Sequence, residues 1–100
     1  MPFELYFAEA ADTELKRLEN SPSEAGKTKQ IKKALGYLQT NPKHPSLQTH
    51  KFDGLPHPHN PNEDVFIAYA QQHTPSAARI LWCYGPQHRQ ITIIAIIAHP

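Results

Sequence analysis

Ile91-Thr92-Ile93-Ile94-Ala95-Ile96-Ile97-Ala98 is a run of eight residues without a charge, five of them isoleucine, and His99 and Pro100 follow it. An alternating strand shows water one polar face, whereas this run is apolar at nearly every position. It reads as a strand inside a sheet that is covered on both faces, with His99 at the sheet's exit edge.

Working back along the chain, Arg79 to Tyr84 and Val65 to Ala70 are two further β-rich runs, joined by turns around Pro75 and at Gly85-Pro86. Consecutive strands with short connections make an antiparallel meander the economical arrangement. Leu55 to Asn62 contains three prolines, two histidines and two asparagines, which excludes regular structure and predicts an exposed loop. Before Gly54, Thr49 to Phe52 has room for one short strand with His50 and Lys51 on opposite faces.

The period changes further upstream. Ile31, Ala34, Leu35 and Leu38 form one helical stripe that Asn41-Pro42 terminates, and Ser21-Pro22-Ser23-Glu24 predicts its start as a capping box with proline at the first helical position. Ala11, Leu15 and Leu18 mark an earlier helix within Ala8 to Glu19, and Phe3 to Phe7 alternates as a strand with one face inward. The expected class is α+β: an N-terminal strand, a two-helix hairpin, then the strand meander.

One hundred residues, 39% hydrophobic and 19% charged, fit one compact domain over 1–100 and leave no room for a second. The single cysteine, Cys83, rules out an intrachain disulfide and suits a reducing cytoplasm. Met-Pro-Phe-Glu has no basic leader region, and no apolar run approaches the ~20 residues that a membrane crossing needs. A soluble cytoplasmic protein is expected, with no membrane partner.

The formal charge of +1 conceals a division. Residues 1–24 carry six acids against Lys16 and Arg17, while 27–51 carry six lysines and no acid. Lys29, Lys32, Lys33 and Lys43 of that block are candidate contacts for an anion or phosphates, because nearby charges govern anion binding more than the whole-chain sum does. The plain alternative is a solvated helix face.

The order of elements resembles the RelE/ParE-type toxins of bacterial toxin–antitoxin systems. The likeness is carried by Ala11, Leu15 and Leu18, then Ile31, Leu35 and Leu38 leading into Asn41-Pro42. Next come His44-Pro45-Ser46-Leu47, His50-Lys51-Phe52 with Gly54-Leu55, Arg79-Ile80 with Trp82 and Tyr84, and the isoleucine strand with His99. The resemblance implies inhibition of translation by metal-independent cleavage of ribosome-bound mRNA, no cofactor, and neutralisation by a cognate antitoxin. The runner-up is a non-catalytic member of the same fold, which inhibits DNA gyrase by protein contact or is an inert domain that only binds its antitoxin or another partner.

The cleavage reaction uses the RNA's own 2′-hydroxyl, so it needs a base, cations for the charged phosphorane and an acid for the leaving oxygen. By resemblance Lys51 and Arg79 are the cations, and His50 and His99 are suited to proton transfer near neutrality. Each has a plainer reading: a solvated strand lysine, an arginine paired with an acid such as Asp64, a histidine that only ends a strand. The family's pattern is also incomplete. Asp53 stands where a second basic residue is common, Ala70 where an arginine is common, and nothing matches the residues beyond the last strand. His57-Pro58-His59 lacks a third ligand for zinc, and Cys83 among bulky strand residues reads as an inert thiol.

Overall fold

The computed structural model describes residues 2–98. Strand β1 is Glu4–Phe7, helix α1 Glu9–Glu19 and helix α2 Ala25–Thr40, followed by β2 His50–Lys51, β3 Phe66–Tyr69, β4 Ala78–Tyr84 and β5 Gln90–Ala98. Single 3₁₀ turns precede α2 at Pro22–Glu24 and precede β2 at Pro45–Leu47. All five strands form one sheet in the order β1-β5-β4-β3-β2.

The class is α+β as expected, and the structure adds the pairing of the first strand. Strands β2 to β5 form the antiparallel meander, but β1 joins the far side of β5 in parallel, with Leu5 opposite Ile91 and Phe7 opposite Ile93. The sheet is therefore mixed, and the isoleucine strand is interior because the first strand of the chain closes over its edge.

The helical stripe is the core-facing surface of α2. Ile31, Ala34, Leu35 and Leu38 are buried with Ala11 and Leu18 of α1 against Ile80, Trp82, Ile91, Ile93 and Ile96 of the sheet. Burying a side chain of this size contributes about 1.5–3 kcal/mol each, which outweighs the weak terminal signals of the helices. The capping box predicted at Ser21 does not form: neither Ser21 nor Glu24 makes a side-chain cap bond. Glu24 instead reaches back to Arg17 at 3.0 Å, because that guanidinium also binds Glu14 and gathers both carboxylates. Thr28 then ties the helices together by donating to the carbonyls of Leu18 and Glu24.

This Arg17 cluster sets a pH dependence. The hydrogen bond from Arg17 is the leading cause that lowers the carboxyl pKa of both Glu14 and Glu24. A carboxylate lowered in the fold stabilises above its unfolded pKa, and that contribution disappears as pH falls through the folded value. Arg17→Gln is expected to melt slightly below wild type at about pH 7 and level with it at about pH 3. Thermal unfolding at the two pH values checks this, and a gap that persists in acid would refute it.

The expectation that β5 is covered on both faces holds only in part. A bulge lets Ile94 slip out of register between the pairs Trp82–Ile93 and Leu81–Ala95, so Ile91, Ile93 and Ile96 all reach the helix side. On the opposite side Ile94 and Ala95 are half-buried and Ile97 is 37% exposed. The 55–62 loop contacts that face at its Cys83–Thr92 end, and the 71–77 segment meets it at Arg79. His59 Nε2 meets Thr92 Oγ1 at 3.2 Å, and His57 Nε2–H donates to the Tyr84 carbonyl at 2.8 Å.

Candidate functional site

Cross-strand register decides which predicted residues share a surface, since directly opposed residues of an antiparallel pair point to the same face. His50 opposes Ile67, Ile67 opposes Leu81, and Tyr69 opposes Arg79. His50, Tyr69 and Arg79 therefore occupy the sheet face that points away from the helices. Lys51 opposes Phe66, which packs on the core, so Lys51 points to the helix side.

Arg79 is the most unusual member. It is 7% exposed, yet no carboxylate pairs with it among the described residues. Nη1 donates to the carbonyls of Gln71 at 2.6 Å and Ala78 at 3.2 Å, the Tyr69 ring lies 3.9 Å from Cζ, and Nε has no partner. Carbonyl dipoles and a π face offset part of the cost of burying a guanidinium but bring no negative charge. The pairing with Asp64 entertained above is absent, because Asp64 is held 3.4 Å from Lys51 Nζ instead.

His50 completes the surface. Its ring stands edge-on to Tyr69 at 5.7 Å, and Nδ1 lies 3.1 Å from the Gln48 carbonyl. A carbonyl only accepts, so Nδ1 carries the proton of the neutral ring and exposed Nε2 keeps its lone pair. Gln48 is itself left-handed, with φ 46°, and its side-chain amide donates to Gln72 Oε1, which links the start of β2 to the 71–77 segment that receives Arg79. The face thus offers an accepting imidazole nitrogen, a phenol and a cation that lacks an anion.

The other predicted residues are placed apart. Lys51 lies across the sheet from Arg79, and its exposed pair with Asp64 is worth about 0–1 kcal/mol. Asp53 is exposed and makes no ion pair among the described residues, and Ala70, just past the end of β3, packs on the core. His99 lies outside the described residues. In the basic block, Lys32 pairs with Glu19 at 2.7 Å, whereas Lys29, Lys33 and Lys43 have no acidic partner among the described residues.

Lys29 and Lys33 are one turn apart on α2 and lead to Tyr37, whose ring stacks on His44 at 3.9 Å and 11°. Lys33 Nζ lies 5.9 Å from that ring. Beside it opens a cavity of about 370 Å³ lined by Lys33, Tyr37, Ser46, Tyr69, Gln71 and Gln72. Tyr69 belongs both to this cavity and to the Arg79 platform, so the cavity that Lys33 lines borders the surface that holds the buried guanidinium. Tyr69 and Tyr37 were not singled out from the sequence; the available signal was an aromatic residue near the end of a strand beside the one that carries Arg79.

No family model matches the chain, and no curated protein matches it significantly. Among solved structures, the crystal structure of the archaeal RelE–RelB complex from Pyrococcus horikoshii OT3 is similar, with a TM-score of 0.66 over 98% of this chain and 96% of that one. Sequence identity is 12%, so the likeness is one of fold: this chain has the RelE-type fold.

Proposed function

On a RelE-type fold, we propose that this protein is the toxin-like half of a toxin–antitoxin module and inhibits translation by acting on ribosome-bound RNA through the Arg79–Tyr69–His50 face. The observation that carries the proposal is the guanidinium of Arg79, nine-tenths buried and without a carboxylate. A site that keeps such a charge is complementary to an incoming phosphate, whose oxygens complete the pairing that the fold leaves open.

In the cleavage step, His50 Nε2 takes the proton of the 2′-hydroxyl as its oxygen attacks the adjacent phosphorus. Arg79 stabilises the charge that accumulates on the phosphorane oxygens, and the P–O5′ bond breaks as the leaving oxygen gains a proton, a role we assign to His99. The products are a 2′,3′-cyclic phosphate and a 5′-hydroxyl, with no metal in the scheme. Lys29 and Lys33 guide the strand along α2, while Lys51 acts from the other side of the β2 edge. The RelE–RelB neighbour is a two-protein complex, which supports a cognate antitoxin here as well. The sheet face around Ile94, Ala95 and Ile97 is the apolar surface such a partner would cover.

Purified protein added to a translation reaction, with RNA ends mapped, tests the reading. Position-specific cuts are expected, reduced about 10²-fold or more in His50→Ala and in His99→Ala. Wild-type protein that makes no cuts would overturn it. A second reading is favoured by the remoteness of Lys51 from Arg79: a non-catalytic protein that binds its target, such as DNA gyrase, by surface contact. Inhibition of supercoiling without RNA cuts would establish that alternative.

A further inference from the structure

A second cavity, of about 430 Å³, opens on the helix side of the sheet beneath the Pro42–Thr49 segment. Its floor is aromatic: the Phe66 and Trp82 rings are 4.9 Å apart, and Tyr84 stands edge-on to Trp82 at 5.0 Å. Lys43 and His44 stand among the lining residues, with no acid in that set. Two lining residues hold polar atoms that have no hydrogen-bond partner, Nε1 of the 1% exposed Trp82 and Oγ1 of Thr49. Lys51, directly opposite Phe66, faces this side of the sheet as well.

These features ask for three things in one ligand. The aromatic floor suits a flat ring, the orphaned indole N–H needs an acceptor, and unpaired Lys43 needs an anion. We propose that this cavity binds a nucleotide: the base stacks on the partly exposed Phe66 and Tyr84 rings, a ring carbonyl accepts from Trp82 Nε1–H behind them, and the phosphate meets Lys43. The nucleotide comes either free or as one residue of a single-stranded RNA, and only the second source rests on the function proposed above. Stacking of a base on a protein ring tolerates any sequence, which suits a subsite that holds a strand rather than reads it.

Trp82 is the chain's single tryptophan and lines this cavity, so its emission can be followed without interference from another indole. Wild type and Lys43→Gln are titrated with uridine monophosphate and with a hexauridylate. Saturable quenching is expected in wild type, with binding about tenfold weaker in Lys43→Gln. Quenching by the mononucleotide assigns the site to free nucleotides, and quenching by the hexamer alone assigns it to an RNA strand. No quenching by either probe, or equal affinity in wild type and Lys43→Gln, overturns the inference. RNA cleavage without quenching would refute this cavity alone, and quenching without cleavage would refute only the proposed function.

Discussion

Arg79→Met is expected to leave the fold about as stable as wild type while RNA cleavage falls about 10²–10³-fold. The side chains are similar in length, and methionine removes a buried charge that has no carboxylate to answer it. Its loss leaves the Gln71 carbonyl without its 2.6 Å donor, a cost of about 1–3 kcal/mol, while release from desolvating the guanidinium acts in the opposite direction. Urea unfolding, together with cleavage measured per folded molecule, separates two roles for this residue. Destabilisation beyond about 3 kcal/mol with undiminished specific cleavage would make Arg79 a structural plug between Tyr69 and the 71–77 segment. Arg79→Lys keeps the charge but loses the planar stack and fork, so it is expected to recover only part of the activity.

The largest stability effect outside the main core is expected at His57. Its ring is 6% exposed and fully engaged: Nε2–H donates to the Tyr84 carbonyl, and Nδ1 accepts from the backbone N–H groups of His59 and Asn60, each at 3.0 Å. His57→Ala strands a carbonyl and two N–H groups at once. At about 1 kcal/mol or more for each, the loss is on the order of 3–5 kcal/mol, or about 15 °C or more in Tm for a domain this size. Calorimetry checks it, and a drop below about 3 °C would show that the loop does not depend on the ring. The same loop shields Cys83, whose thiol burial pushes up to about 11, so His57→Ala is also expected to speed alkylation of that cysteine.

Much of the fold is legible from local periodicity, because the residues that set the period are those that become buried. Ile31, Ala34, Leu35 and Leu38 are spaced for one helix face and all four lie in the core. The brief strand at His50–Lys51, and the opposite orientation of its two residues, also follow from alternation. Pairing is different: nothing within Glu4–Phe7 or Gln90–Ala98 indicates that the two meet side by side in parallel, since that contact is settled by where the helices place β1. The bulge at Ile94 was hidden for a related reason, as a run of isoleucines looks alike in either register.

The candidate site was legible by residue type but not by grouping. His50 and Arg79 share a face through Tyr69, whereas Lys51, adjacent to His50 in sequence, is turned away by the two-residue period of a strand. His57 shows the opposite limit. In a loop with three prolines its imidazole resembles half of a metal site, whereas its part as acceptor for the two amides that follow it depends on a turn geometry that spacing alone does not reveal.

The place of β5 between β1 and β4 has a consequence for how the molecule comes into being. Helix α1 packs on β5, and β1 finds its only strand partner among the described residues there. Until residues 90–98 are in place, β1 therefore has no strand to pair with among the described residues, α1 lacks its sheet-side support, and the two edges of the sheet cannot be joined, so the longest-range contacts of the fold are the ones that complete it.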